Sequence, residues 1–221
     1  MNSQEHIDYL AIGHICHDLT ANGPVIGGAA AYGAAVAQIM GCRTAVVTSS
    51  APEDDWQTEL PETAIHRIPS ANTTVFENVD TPAGRVQTIH AVASRIDGAD
   101  IPRAWQRASI VQLAPIANEV DPHALHLFSN SLVGLAPQGW LRRWDNNGNV
   151  SAGPWAAAEE YLRLAAAVFI SEEDLLDGGM LDNYPVKYCL DNEQCEKEEI
   201  LGIRNTYPIN NTNINENMNF H

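Results

Sequence analysis

Short apolar runs punctuated by glycine and proline, with helix-length stretches between several of them, set the pattern of this chain. Tyr9-Leu10-Ala11-Ile12 reads as a strand that ends at Gly13, and His14 to Asp18 follows it as a loop. A second run meets a glycine pair at Ile26-Gly27-Gly28. A small-residue helix is predicted from Ala29 to Met40, closed by Gly41, with the strand Thr44-Ala45-Val46-Val47 after it. A loop holding Pro52 and Pro61 leads to a short strand at 64–68. Thr73 to Val79 and Arg85 to Ala91 then alternate around the turn chemistry of Asp80-Thr81-Pro82-Ala83-Gly84, which predicts a hairpin over about 73–91.

Further on, Ile101-Pro102 opens a short helix through Ala108, and Asp121-Pro122 starts another in N-cap-then-proline manner, through Leu127. Ile110–Leu113, Leu132–Leu135 and Val168–Ile170 read as strands, and Pro154 to Ala165 as a helix. Strands alternating with helices predict an α/β fold, a mainly parallel sheet covered on both faces. In such a sheet ligands sit beyond the carboxyl ends of the strands, where Asp18, Pro115, Gln138 and Ser171 all fall.

Composition narrows the partners. The chain has 221 residues, 45% of them hydrophobic, and a formal net charge of −16. That length suits one domain with a sizeable core, and that charge argues against nucleic acid or an anionic membrane as the main partner. No apolar run approaches the ~18 residues of a membrane span. The N-terminal MNSQEHIDYL lacks the marks of a signal peptide, so a cytoplasmic protein with reduced cysteines is expected. No metal centre is expected: Cys189 and Cys195 match no common zinc spacing, and His14, Cys16 and His17 suit packing and ordinary polar contacts.

The chain also divides in two by composition. Residues 1–177 hold 29 alanines, nine arginines and no lysine; residues 178–221 hold no alanine, both lysines and nine asparagines. Two readings account for the break. One is a polar C-terminal extension; the other is a change of reading frame or gene context near Gly178, so that the tail never evolved with the body. On either reading residues 178–221 should be poorly ordered, having little periodic apolar surface to offset their ordering entropy.

The chemistry concentrates near the N-terminus. A carboxylate past a strand, Asp18, and bare backbone at a helix start, Gly27-Gly28, together can hold a polyhydroxylated small molecule: the acid accepts hydroxyl protons and the glycines allow close approach. This order resembles the N-terminal end of the PfkB-type (ribokinase-like) carbohydrate kinases, and Pro137-Gln138-Gly139-Trp140-Leu141-Arg142-Arg143 with Asp145 and Gly148 is similar to family sequence too. The resemblance implies a ribokinase-like fold in which Asp18, Gly27 and Gly28 bind a sugar-like or nucleoside acceptor. The hairpin would be a small β-lid over it, or a contact between two copies. Tyr32 stands where many members carry asparagine, which leaves the acceptor open. Ser171 and Asp174 fall at the places of an asparagine and a glutamate that organise Mg2+ and the phosphates of ATP. A helix N-cap with acids in its first turn explains those two residues equally well.

The family's glycine-rich GAGD-type motif supplies both the anion hole and the base for phosphoryl transfer, and no segment of residues 178–221 matches it. The expectation is therefore a ribokinase-like domain over 1–177, truncated and lacking the C-terminal part of its fold. Such a chain would be catalytically inactive, or would serve as a non-catalytic binding or interaction protein that keeps the acceptor pocket. A dinucleotide-binding Rossmann protein is the remaining reading, and it lacks the expected GxGxxG pattern after the first strand.

Overall fold

The computed structural model describes residues 6–82 and 84–170. In chain order the elements are β1 (Tyr9–Ile12), β2 (Cys16–Thr20), β3 (Gly23–Gly27), α1 (Ala29–Ile39), β4 (Thr44–Ser50), β5 (Ala64–Pro69), β6 (Thr74–Thr81), β7 (Gly84–Ala91), β8 (Ile110–Leu113), β9 (Leu132–Leu135), β10 (Arg142–Trp144), β11 (Val150–Ala152), α2 (Ala158–Leu162) and β12 (Ala167–Val168). Short 3-10 turns occupy Gly98–Asp100, Trp105–Arg107, Pro122–Phe128 and Pro137–Leu141.

Six strands form one parallel sheet in the order β12-β9-β8-β1-β4-β5. The apolar runs form its centre because both faces there are covered, which removes the need for alternation. On one face Leu10, Ile12, Val47, Val111, Leu113, Val133 and Leu135 pack with Phe128 of the 3-10 turn at Pro122–Phe128 and with Ala158 and Tyr161 of α2. On the other, Ala11 and Val46 meet Ala30, Ala31 and Ala34 of α1. Alanine at those positions keeps α1 close to the strands.

β4 runs three residues beyond its apolar core, and its polar end stays buried by finding partners. Thr48 Oγ1 accepts from Ile15 N at 2.8 Å, Ser49 Oγ donates to the Ile68 carbonyl at 3.1 Å, and Ser50 Oγ accepts from Trp56 Nε1 at 3.3 Å.

A second sheet of four strands, in the order β3-β2-β6-β7, stands off this body. β2 and β6 are parallel; β3 and β7 flank them antiparallel. The predicted hairpin is thus present as β6 and β7, but as half of a larger sheet. The segment His14 to Asp18 corrects the sequence reading: its last residues are strand, not loop, because β2 pairs on both sides with partners distant in sequence.

Two helices are also shorter than read, and a third differs in kind. Residues 101–108 hold only the turn Trp105–Arg107. Pro122–Phe128 is 3-10 rather than α, although Asp121 caps it as expected, accepting from His123 N at 3.0 Å. The helix predicted over 154–165 is α-helical only at Ala158–Leu162. Such short segments gain little from helix propagation and take the geometry their packing sets.

Candidate functional site

The four-stranded sheet presents one face to the body and one to solvent. Its register puts Val25, Asp18, Phe76 and Ile89 in a row on the inner face, with Asn78-Gln87 and Asp80-Arg85 in the rows beyond. The base of that face is closed. Cys16, Phe76 and Ile89 are buried with Ile116 and Ala117 from the loop after β8. Above that seal the face turns polar, and Asp18 stands at the boundary.

Asp18 and Gly27 meet directly. A Cβ added to Gly27 would overlap Asp18 Oδ2 and come to 2.9 Å from Cys16 Sγ, so the glycine is what leaves the carboxylate its place. Gly28 turns the chain from β3 into α1 at φ +100°, a backbone conformation that favours glycine, and a side chain there would also overlap the His14 carbonyl oxygen. The structure thus brings Asp18, Gly27 and Gly28 to one place. Tyr32, one turn into α1, is more than half exposed and donates from its hydroxyl to the Ile26 carbonyl at 3.2 Å.

Electrostatics at this place are mixed in sign. Partial burial raises the Asp18 carboxyl above the ordinary carboxylate value, and the positive charges of Arg85 and Arg142, with His17, pull it back. The Tyr32 phenol is raised by burial and then by the Asp18 charge. Burial also pushes the Cys16 thiol far up, with Asp18 and Glu119 adding to it, so Cys16 is packing and not a nucleophile. The Arg142 guanidinium lies 5.1 Å above the Phe76 ring and donates to the Ile116 carbonyl at 2.9 Å, which fixes a cation beside the carboxylate. Gln87 Nε2 donates to Asn78 Oδ1 at 2.7 Å farther along the inner face.

Two buried groups hold the root of the four-stranded sheet. Glu119 is almost wholly buried, and its carboxylate accepts from the backbone N–H groups of His14, Ile116 and Ala117 at 2.7–3.1 Å, tying the end of β1 to the loop after β8. His14 is fully buried; its Nε2 donates to the Ser94 carbonyl at 2.8 Å, and the Thr74 hydroxyl lies 2.7 Å from Nδ1. It joins β6 to the root of the sheet. His17 pairs with Asp54 at 2.9 Å, and Asp54 also accepts from Thr73. His14, Cys16 and His17 therefore each serve packing or polar contacts.

Arg143 bonds the carbonyls of Trp140, Arg142 and Pro154 and braces the β10-β11 hairpin. Ser171, Asp174 and the whole 178–221 segment lie outside the described residues. Sequence reasoning missed Glu119, Arg85 and the Asn78-Gln87 pair. A lone acid inside the apolar stretch from Leu113 to Val120 was the available signal for the first. The alternation of the hairpin was the signal for the others.

No protein-family model and no curated protein matches the chain. Solved structures do. A pyrophosphate-dependent kinase in the ribokinase family, in a sulfate complex, superposes with a TM-score of 0.67 at 17% identity over 84% of this chain and 69% of that one. The 2-dehydro-3-deoxygluconokinase of Thermotoga maritima superposes at 0.54 and 13% identity, over 88% and 70%. The nucleoside kinase of Methanocaldococcus jannaschii, an archaeal member of the ribokinase family, gives 0.54 and 13%, over 84% and 68%. The fold is ribokinase-like, an α/β architecture with a mainly parallel central sheet.

Proposed function

We propose that this chain carries the acceptor-binding half of a ribokinase-type carbohydrate kinase and that it binds a sugar-like or nucleoside molecule without phosphorylating it. The observation that carries this reading is the Asp18 carboxylate lodged against bare backbone at Gly27, on the polar side of a sealed sheet face. Asp18 would accept hydroxyl protons, the Asn78-Gln87 amides would offer donors and acceptors above it, and Tyr32 would border the opening. Solved neighbours support the ligand class: one pyrophosphate-dependent kinase was determined with myo-inositol, and another neighbour is a nucleoside kinase.

Turnover is a different matter. Phosphoryl transfer requires an anion hole for the moving group and a base for the accepting hydroxyl. No GAGD-type motif that would provide them occurs in the 221 residues. ATP and Mg2+ are the family's cofactors, and the residues proposed to hold them, Ser171 and Asp174, lie outside the described residues. Among the described residues the one candidate metal cluster is His123, His126 and Glu160. Its two imidazoles do not suit Mg2+, which takes oxygen ligands. No step is therefore assigned to either cofactor.

We read residues 1–177 as the kinase-derived domain and 178–221 as chain that did not evolve with it; the DNA after codon 177, read in three frames, tests this. The outer face of the lid leaves Leu19, Val79 and Val86 at least a third exposed, which suits contact with a second copy in the cytoplasm.

The test of function is a panel of sugars, cyclitols and nucleosides. Melting temperature is followed for each, with coupled ADP release from ATP and phosphate release from pyrophosphate measured in parallel. The reading expects a melting shift with some of the panel, absent in Asp18→Asn, and release at background. Acceptor-dependent release that Asp18→Asn abolishes would contradict the claim of inactivity. No shift with any compound would contradict the binding claim.

A further inference from the structure

A second group of side chains, unrelated to the acceptor cleft, sits where the 3-10 turn Pro122–Phe128 meets α2. Both elements pack on the face of the central sheet opposite α1. In 3-10 geometry residues three apart eclipse one another. That geometry accounts for His123 and His126, whose rings stack at 6.1 Å between centroids and 26° between planes. Glu160 comes to them from α2. One ligand atom from each of the three lies within 4.8 Å of the others, and all three residues are exposed.

Their placement is fixed from beneath. Tyr161, next to Glu160, is buried and lies parallel to Trp155 at 5.9 Å, which in turn stacks on Trp140 at 4.5 Å. The Tyr161 hydroxyl is 2.8 Å from His123 Nδ1, a contact that orients this imidazole as outer partners orient metal-bound histidines. On the other side Asp121 caps the turn through His123 N. Among the described residues the side chains of His126 and Glu160 have no hydrogen-bond or ion-pair partner. Two stacked imidazoles, one held by the Tyr161 hydroxyl at 2.8 Å from Nδ1 and 3.4 Å from Nε2, and a facing carboxylate are an arrangement that a cation would complete.

We propose that His123, His126 and Glu160 form a surface site for a divalent transition-metal ion of the zinc class, which ties the turn Pro122–Phe128 to α2. Imidazole with one carboxylate suits Zn2+, Co2+, Ni2+ or Cu2+ and not Mg2+ or Ca2+, which take oxygen. Bonds of about 2.0–2.2 Å to a tetrahedral zinc set ligand atoms ~3.3 Å apart. Closing the present spacing to that needs rotation about the side-chain torsions of Glu160 and His126, both exposed. Water takes the fourth position. The net charge of −16 raises the cation concentration at the surface and favours occupancy. The site is independent of the acceptor-binding reading. It also departs from the sequence expectation of no metal centre, which weighed cysteine spacings and the histidines near the N-terminus but not the pair at 123 and 126.

The experiment is calorimetric titration of the full chain with ZnCl2 in a non-chelating buffer, alongside Co2+ as a spectroscopic probe. Wild type is expected to bind one zinc, to melt at a higher temperature in its presence, and to give the visible absorption of a low-coordinate Co2+ site. His126→Ala and Glu160→Gln should each weaken zinc binding by about tenfold or more, and the double variant should lose the one-site isotherm and the cobalt band. Because both side chains are exposed, the zinc-free variants should melt with wild type, which separates loss of a ligand from loss of the fold. His90→Ala, at the exposed pair with Glu77, should bind zinc as wild type does. The proposal is overturned if the double variant binds zinc within twofold of wild type, if wild type shows no saturable site, or if equimolar Mg2+ displaces the zinc.

Discussion

The two larger sheets of this molecule, one all parallel and the other mixed, do opposite things. In the six-stranded sheet Leu10, Ala11 and Ile12 are each 0% exposed, and its centre touches helix or 3-10 turn on both faces. In the four-stranded sheet Val79 and Val86 are 48% and 50% exposed, and the inner face turns from Phe76 and Ile89 to Asp18 beside them, to Asn78 and Gln87 two residues on, and to Arg85 four residues on. The first sheet is specified by burial. The second is specified by its register and by its roots, His14 and Glu119, and it leaves polar groups on its inner face. Stability and the polar face proposed for ligand contact are thus divided between two layers joined at the end of β1.

Substitutions in the two sheets should therefore separate. Leu10→Ala removes a wholly buried side chain from the centre of the first sheet and should cost about 2–5 kcal/mol, read as an earlier midpoint in urea with unchanged slope. An unchanged midpoint would refute the division. Gly28→Ala, at φ +100° with the His14 carbonyl in the way, should destabilise by about 1–3 kcal/mol. Gly27→Ala is predicted to behave differently although it is adjacent. The atoms in its way are side-chain ends, the Asp18 carboxylate and Cys16 Sγ, and not backbone, so stability should change less than in Gly28→Ala while ligand affinity falls. Equal destabilisation by the two glycine variants would mean that Asp18 has no freedom to move.

A smaller effect follows from charge. Asp18 binds its proton more readily in the folded state than in the unfolded one, since burial raises its carboxyl. Its contribution to stability therefore declines as pH rises from the ordinary value of 3.8 through the raised one. Asp18→Asn should remove that decline and leave the ligand-free protein at least as stable at neutral pH, as seen by melting curves across pH 4 to 7. Asp8 has the opposite sign. Its side chain pairs with Arg43, which lowers its carboxyl to about 2, so the stability it adds is present above 3.8 and is lost as pH falls toward 2. Both groups are exposed, and Arg43→Ala should move the acid limb of the melting curve slightly, the smallest effect of the series.

The same division governs what could be read from the sequence. Ile110–Leu113 and Leu132–Leu135 were legible to the residue, because short, mainly apolar runs that start after a serine and stop before Ala-Pro have one good solution in an α/β fold. α1 was legible too, since Gly28 and Gly41, both at positive φ, bracket its alanines. β2 was not. Cys-His-Asp-Leu-Thr carries no strand pattern of its own and is extended because β3 and β6 pair with it from either side. The candidate site was partly legible: Asp18 and the glycine pair stood out, whereas Arg85, Asn78 and Gln87 come to the same face through a register that only the folded sheet defines. The stacked histidines at 123 and 126 needed 3-10 geometry to become neighbours, and the sequence read as α-helix there.

The central claim is that Asp18, set against Gly27, is the group through which the lid sheet holds a hydroxylated ligand. Calorimetric titration of wild type and Asp18→Asn with the compound that gives the largest melting shift tests it most directly. The account predicts a single saturable site in wild type and a loss of about tenfold to a hundredfold in affinity in Asp18→Asn, the loss of a hydrogen bond to a charged group, with the variant folded and no less stable. Equal affinity in the two proteins would contradict it and would move the site away from the lid.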